Sequence, residues 1–270
     1  MTYWRYWKLS GPPFSNSTFF RGATIEEALA RIEFLVSNRR EAGALLGVSG
    51  VGKSSLLHYC ATNPPIGSDV PALQMFRVSL LGMSAGELLC NLAVRLVGHS
   101  RTQDAHRTPA AVSAWKTICD YFQAARREGT QAVLLVDDAE SATAAAEGDL
   151  ARLMSMSFPM TVVLAIETQM TSAVSRSILE RCELQIELPT WDIMQSAEFL
   201  AWMSISLGRN TPVFTDEAVE RIQELSHGIA RRIVQITDLA LVAGAISQAD
   251  CIGVECIDQV ALELPRSQAA

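Results

Sequence analysis

Apolar and polar positions change along this chain in blocks whose spacing predicts secondary structure. Short apolar runs bounded by polar or turn residues predict β-strands, and longer stretches with apolar residues every three or four positions predict amphipathic helices. The predicted strands are 42–48, 73–80, 131–138, 160–167 and 183–188, and the helices among them are 24–40, 53–62, 84–97, 110–127 and 142–156, with one more between the last two strands. This alternation predicts a parallel sheet covered by helices on both faces.

The pattern changes after Pro189, where only helical spacing remains. Helices are predicted over 192–208, 215–227, 229–247 and 255–263, so a small all-helical domain follows the α/β domain. The aromatic, Pro- and Gly-containing start of the chain is expected to be an irregular arm. The predicted organisation is an arm at 1–22, an α/β core at 23–190, a helical domain at 191–264 and a tail at 265–270.

Composition narrows the functional classes. The chain has 270 residues, 49% of them hydrophobic, and a net charge of −7, which exclude global disorder and make general nucleic-acid binding a poor expectation. The six cysteines form no C-x-x-C pair and the four histidines are scattered, so no metal site of that kind is indicated. No signal peptide is visible, and the apolar run 239–246 is too short to span a bilayer. A cytoplasmic protein without a membrane span is expected.

The segment from Gly47 to Ser54, GVSGVGKS, matches the phosphate-binding pattern G-x-x-x-x-G-K-[ST] between a predicted strand and a predicted helix. Glycines allow positive φ angles and a close approach of the backbone, so that successive N–H groups converge on an anion beside a helix N-terminus. Lys53 would supply a charge for the β and γ phosphates, and Ser54 a hydroxyl for Mg²⁺. The predicted nucleotide contacts in this loop are Gly47, Val48, Ser49, Gly50, Val51, Gly52, Lys53, Ser54 and Ser55.

The segment VLLVDDAE, residues 133–140, matches the acidic partner of that loop. A strand ending at Asp137 would bring its carboxylate beside the phosphate loop, where it would hold Mg²⁺ through water, and Asp138 would activate the attacking water. Alone, such a run is equally consistent with a buried strand that ends in a turn. The phosphate loop upstream favours the functional interpretation.

These motifs give the chain a resemblance to AAA+ ATPases, and within them to the ExeA/GspA-like, TniB/TnsC-like group related to the Orc1/Cdc6 ATPases. The opening YWKLSGPPF…FF…EEALARI and the late segment SHGIARRIVQI carry the narrower resemblance, which spans about residues 7–245. It implies a P-loop NTPase three-layer αβα parallel sheet followed by a small helical lid domain. It also implies hydrolysis of ATP with Mg²⁺ in a ring or filament of identical subunits, and ATP is chosen on the resemblance alone.

The resemblance assigns further residues. A sensor-1 polar group falls at Glu167 or Thr168, although this chain has LAIETQM where the group has LAGQPEL. An arginine finger, which would reach a neighbour's γ-phosphate, falls at Arg181, with Arg176 as the alternative. Both arginines are also consistent with plain surface ion pairs.

A sensor-2 arginine falls at Arg231, after Gly228. The usual proline is replaced by Ala230, and the adjacent Arg232 is expected to point elsewhere. Two solvated arginines on a helix are the alternative here.

Asp138 stands where the resembling group has glutamate, and its carboxylate is one methylene shorter. Either Asp138 works through an adjusted backbone, or hydrolysis is slow and the protein is a nucleotide-controlled switch. Glu140 is near in sequence but projects differently.

Two functions follow. One is an ATP-hydrolysing oligomeric motor or switch in secretion or pilus-type assembly or in transposition, and the other is a non-hydrolysing or very slow ATP-binding scaffold that regulates a partner such as a DNA transposase. The resembling secretion proteins carry membrane and cell-wall-binding segments and the initiators carry a winged helix, and neither is visible here. DNA binding has weak support from the arginine pairs at 39–40, 126–127 and 231–232.

Overall fold

The computed structural model describes residues 2–14, 19–64, 73–99 and 111–264. The polar segment 99–109, which the sequence predicts to be an exposed link, lies outside these residues beyond His99, and so does the predicted tail 265–270. Within the described part, the chain divides into two compact units. One contains Ile25–Gly47 and Lys53–Leu188, and the other contains the described residues of Met1–Thr24, Val48–Gly52 and Pro189–Ala270.

The first unit is built on a parallel sheet. Its strands are β1 (Ala42–Gly47), β2 (Leu73–Ser79), β3 (Gln131–Asp137), β4 (Met160–Glu167) and β5 (Cys182–Glu187), in the spatial order β2-β3-β4-β1-β5. The described strands match the five predicted from the apolar runs to within one residue at either end. The phosphate loop follows the strand at position four of this order, and the acidic strand lies two positions away.

Helices cover both faces of the sheet, as the alternation predicts. They are α2 (Ala23–Ser37), α3 (Lys53–Thr62), α4 (Glu87–His99), α5 (Ala111–Glu128), α6 (Ala144–Ser155) and the short α7 (Arg176–Leu179). Even-numbered strand residues such as Leu134 and Leu164 share one core with side chains of α4, α5 and α6. The odd-numbered Leu135 and Val163 are fully buried on the opposite face. The three-layer αβα prediction is confirmed.

The start of α4 differs from the prediction. A helix from Ser84 was expected, but the structure begins it at Glu87. Gly86 has φ +74°, a left-handed conformation that interrupts helical geometry before Glu87. Ser84 donates to the Glu87 carboxylate through both its N–H and its hydroxyl, and these bonds lower the pKa of that carboxyl group.

The second unit is helical, as predicted for the region after Pro189. Its helices are α1 (Tyr3–Tyr6), α8 (Ile193–Ser206), α9 (Asp216–Ser226), α10 (Ala230–Ile246) and α11 (Val254–Ala261). Asp192 and Gln195 form a capping box at the start of α8, and the Thr215 hydroxyl caps α9. In the described part of the chain, no helix combines the length and apolar character needed to cross a membrane.

The arm is more ordered than the irregular segment that the sequence predicted. Helix α1 lies within it, and Trp7 is 1% exposed in one hydrophobic core with residues of α8, α9 and α10. The Trp7 indole donates to the Leu241 carbonyl at 2.8 Å, and the Tyr6 hydroxyl donates to the Ala249 carbonyl. These contacts are made by residues more than two hundred positions apart, which local periodicity cannot reveal.

Replacement of Trp7 by alanine is expected to destabilise the helical unit by about 3–5 kcal/mol, because it removes a fully buried aromatic side chain and leaves a cavity. The free energy of unfolding in urea measures this, with Arg5→Ala, an exposed change in the same helical turn, as the control within about 0.5 kcal/mol of wild type. Equal stability of the two variants would contradict the role given to Trp7.

Candidate functional site

The loop between β1 and α3 has the backbone that the phosphate-binding pattern requires. Gly50 and Gly52 have φ angles of +82° and +114°, which residues with a side chain adopt only with strain. The Val51 N–H donates to the Val48 carbonyl at 3.3 Å and closes a turn. Helix α3 begins at Lys53, so the loop ends at a helix N-terminus, where backbone N–H groups favour an anion.

The start of α10 contacts this loop within the helical unit. The Arg231 N–H donates to the Gly50 carbonyl at 3.0 Å. A Cβ atom on Gly50 would lie 3.0 Å from Ile229 Cγ2 and 3.1 Å from the Arg231 Cβ, so a side chain here would also be crowded. The side chain of Arg231 is exposed, whereas Arg232 is half-buried. The backbone of the predicted sensor-2 residue is therefore held against the phosphate loop.

Gly228, which precedes this segment, is required by close packing. Its φ is +70°, and an added Cβ would lie 2.0 Å from the Trp191 carbonyl oxygen. The Trp191 N–H donates to the Gly228 carbonyl at 2.8 Å. This contact fixes the turn that leads from α9 into Arg231.

Lys53 and Ser54 face polar partners in the α/β unit. The Lys53 ammonium donates to the Gly47 carbonyl at 2.7 Å, which places its charge at the carboxyl end of β1. The Ser54 hydroxyl donates to Asp137 Oδ1 at 3.0 Å. The structure thus joins the phosphate loop motif to the acidic strand motif through a hydroxyl–carboxylate pair.

Asp137 is a buried carboxylate with both oxygens bonded. Its side chain is 5% exposed, and Oδ2 accepts from Arg77 Nη2 at 2.8 Å while Oδ1 accepts from Ser54. Arg77 lies on β2 and was not among the residues singled out from the sequence. The available signal was two polar residues, Arg77 and Ser79, at alternate positions of an apolar strand, which places both on one face of the sheet.

Asp138 is held by the same strand. Its Oδ2 accepts from the Ser79 hydroxyl at 2.7 Å, and Ser79 pairs in register with Asp137. The backbone of Asp138 is left-handed, with φ 52° and ψ 43°, a conformation that aspartate tolerates better than most residues. Glu140 lies in the 3₁₀ turn that follows, and its Oε2 is buried without a hydrogen-bond partner.

The two sensor-1 candidates lie at the end of β4. Glu167 is in register with Gly47, the first residue of the phosphate loop, and Thr168 begins a 3₁₀ helix over Thr168–Ala173. The Thr168 side chain is exposed and that of Glu167 is half-buried. Both residues lie at the carboxyl end of the strands, where the phosphate loop begins.

Arg181 lies at the opposite end of the strands, their amino end. It precedes β5, whose first residue Cys182 pairs with Ala42 at the start of β1. Gly47 lies five residue steps along β1 from Ala42, a distance of about 16 Å in an extended strand. Arg181 donates to the Glu41 carboxylate at 2.6 Å and lines a pocket of about 330 Å³ at this amino end of the strands. It is therefore remote from the Ser54–Asp137 pair of its own chain.

Arg176, the alternative finger, has a different environment. Its side chain is 90% exposed and its Nε donates to Glu180 one turn along the same helix at 2.7 Å. An exposed pair of this kind contributes little to stability.

The thiol beside Arg181 is unsuited to ionic chemistry. Burial, and secondarily the charge of Glu41, raise the pKa of Cys182 to about 11, so the thiol is neutral near pH 7. In the described ranges, no three His, Cys, Asp or Glu side chains cluster as a metal site would require. A hydroxyl, one carboxylate and nucleotide oxygens form a donor set that suits Mg²⁺.

Comparison with known proteins places the fold. No family model matches this chain, and no curated protein matches it. The Thermotoga maritima RuvB Holliday junction branch migration motor has 16% identity and a TM-score of 0.60, over 91% of this chain and 70% of RuvB. The Aeropyrum pernix ORC2 protein in ADPNP–ADP complexes has 17% identity and a TM-score of 0.65, over 90% of this chain and 68% of ORC2.

A third solved structure, Drosophila ORC bound to DNA, has 18% identity and a TM-score of 0.63, over 94% of this chain and 63% of the matched ORC chain. Likeness at this level of identity is informative about the fold. The chain has the fold of these AAA+ proteins, and the fold that the resemblance implies is confirmed.

Proposed function

We propose that this chain binds ATP with Mg²⁺ and hydrolyses it as a subunit of an oligomeric motor or switch. The observation that carries the proposal is the 3.0 Å contact between the Ser54 hydroxyl and Asp137 Oδ1. It joins two motifs that are far apart in the sequence into one oxygen pair at the phosphate loop, which is the donor chemistry that a magnesium–nucleotide complex requires.

The loop from Gly47 to Ser55 would hold the phosphates through its backbone N–H groups, with Lys53 supplying positive charge. Ser54 and Asp137 would hold Mg²⁺, which when bound neutralises charge on the β and γ phosphates. Arg231 would also contact the phosphates, since its N–H donates to the Gly50 carbonyl of this loop.

Asp138 would accept the proton of the attacking water. Its left-handed backbone supports the alternative in which Asp138 works through an adjusted backbone, and the bond from the Ser79 hydroxyl would hold its carboxylate in one direction. Thr168 or Glu167, at the end of β4, would help to orient the water.

Arg181 supports an oligomer. It is about 16 Å along the sheet from its own phosphate loop, so its guanidinium would serve the γ-phosphate bound by a neighbouring copy. Each site would then be complete only between two subunits of a ring or filament, and hydrolysis would rise more steeply than linearly with protein concentration.

The direct test is a single-turnover assay of phosphate release with wild type, Lys53→Ala and the control Lys116→Ala, an exposed lysine on α5. We expect Mg²⁺-dependent release by wild type and by Lys116→Ala, and a loss of about 10²–10³-fold in Lys53→Ala, the size found when one charge-stabilising donor is removed. Release that persists in Lys53→Ala would mean that the activity arises elsewhere.

A non-hydrolysing ATP-binding scaffold is the second candidate. The short carboxylate of Asp138, already bonded to Ser79, favours it. Wild-type protein that binds ATP but releases no phosphate in a single turnover, with or without a partner, would support the scaffold over the motor.

We further propose a role in transposition-type DNA transactions, in the cytoplasm and with a protein partner, over secretion or pilus-type assembly. The support is the likeness in fold to a branch migration motor and to an ORC bound to DNA. ATP-dependent DNA binding that weakens steeply with salt would support this. Absence of DNA binding by the ATP-loaded oligomer would favour the secretion alternative.

A further inference from the structure

Arg77 is the positive partner of the proposed metal-binding aspartate. The two residues lie on adjacent strands, on the same face of the sheet and diagonal to each other, because Ser79 rather than Arg77 is level with Asp137. A long side chain spans such a diagonal, and Arg77 Nη2 reaches Asp137 Oδ2 at 2.8 Å. The guanidinium therefore occupies one side of a carboxylate that a divalent cation would also need.

The pair is incomplete as a structural ion pair. Arg77 bonds to Asp137 through Nη2, while its Nε is buried without a hydrogen-bond partner. A two-bond fork between guanidinium and carboxylate would satisfy both groups, and it is not formed here. The Arg77 side chain is also 35% exposed, in contrast to 5% for Asp137, so the arginine has a route to solvent that the aspartate lacks.

A buried carboxylate requires a countercharge, and two cations close to one carboxylate repel each other. Arg77 therefore competes with any other cation that approaches Asp137.

We infer that Arg77 competes with the divalent cation for Asp137 and thereby sets the metal affinity of the site. This inference rests on the proposed function, because it takes Asp137 to be the metal ligand. Arg77 acts as a positioning residue. It neutralises Asp137 until a divalent cation arrives with nucleotide, and the cation then shares the Asp137 carboxylate with Arg77 or displaces Arg77 from it.

The test measures Mn²⁺ binding by electron paramagnetic resonance, with protein loaded with a non-hydrolysable ATP analogue. We expect Arg77→Gln to bind Mn²⁺ at least about tenfold more tightly than wild type because the repulsion between the two cations is removed, and Arg77→Lys to stay closer to wild type because it keeps the charge. Arg31→Gln, which breaks an exposed ion pair with Glu27 on α2, is the matched control and should bind as wild type does. Asp137→Asn identifies the part of the signal that belongs to this site.

Two outcomes separate this inference from the proposed function. If Asp137→Asn weakens Mn²⁺ binding but Arg77→Gln binds as wild type does, the inference is overturned and the proposed function stands. If Asp137→Asn binds Mn²⁺ as wild type does, the metal site itself is wrong and both fall.

A measurement of thermal stability keeps the inference testable if Arg77→Gln folds poorly. Removal of Arg77 leaves the buried carboxylate without its countercharge, so Arg77→Gln should have a lower Tm than wild type without divalent cations. Mn²⁺ should then raise the Tm of Arg77→Gln more than that of wild type or Arg31→Gln. Equal shifts in all three proteins would overturn the inference.

Discussion

Mixing two inactive variants, Lys53→Met and Arg181→Ala, is expected to restore ATP hydrolysis. Alone, Arg181→Ala should lose about 10³–10⁵-fold in rate, the effect of removing an arginine that stabilises the transferring phosphoryl group. Lys53→Met should fail through its own phosphate loop. In a mixed oligomer, an intact loop from one subunit meets an intact Arg181 from another, so a fraction of the sites is complete.

The geometry behind this expectation is the position of Arg181 at the amino end of the strands, one residue before Cys182, which pairs with Ala42 and is remote from Gly47. If the arginine served its own chain, each variant would be defective by itself and mixing would restore nothing. Steady-state phosphate release at several mixing ratios measures the effect, with a maximum expected between the two pure proteins.

Arg176→Ala is the matched control, because it removes the alternative arginine from the same segment and breaks an exposed pair with Glu180. It should hydrolyse ATP as wild type does. Thermal unfolding of Arg181→Ala checks that the loss of the Glu41 pair has not unfolded the protein. If Arg176→Ala loses hydrolysis, Arg181→Ala keeps it, and mixing Arg176→Ala with Lys53→Met restores it, then Arg176 is the finger. If both arginine variants hydrolyse ATP as wild type does, the finger does not lie in this segment.

The second large effect is expected at Asp138. Asp138→Asn removes the carboxylate that would accept the proton and should lower single-turnover hydrolysis by about 10²–10⁴-fold, the usual contribution of a general base. Asp138→Glu keeps the carboxylate and should stay within about tenfold of wild type, although a glutamate fits the left-handed backbone less well.

Glu140→Gln supplies the control for this series, since it makes the same acid-to-amide change two residues further along. It should hydrolyse ATP as wild type does, with nucleotide affinity measured in parallel for all variants. Wild-type rates in Asp138→Asn together with a loss in Glu140→Gln would exchange the roles of the two acids.

The parts of the site that could be predicted are those whose residues form a motif within one short segment of the sequence. The glycine loop, Lys53, Ser54 and the two aspartates follow from local patterns, and the strands that carry them follow from apolar runs. Arg77 and Ser79 could not be assigned in the same way, because their meaning depends on the register between β2 and β3, in which Ser79 lies opposite Asp137. Register is set by pairing between distant segments and is not visible in either one.

The arm illustrates a similar difficulty. Its aromatic residues have no regular spacing, so the sequence predicted an irregular segment, yet they are ordered by tertiary packing around Trp7. Single-sequence patterns describe which residues prefer burial, and the partner that buries them is decided by the whole fold.

The arm also affects the order in which parts of this protein can fold during translation. Trp7 leaves the ribosome before Leu241, whose carbonyl accepts its hydrogen bond and which is made 234 residues later. Contacts between residues so far apart in sequence form slowly because a long loop must be closed first. The core of the helical unit cannot be complete before Leu241 has been made, and until then a nascent chain carries Trp7 and its aromatic neighbours without their burial site, a natural target for chaperones.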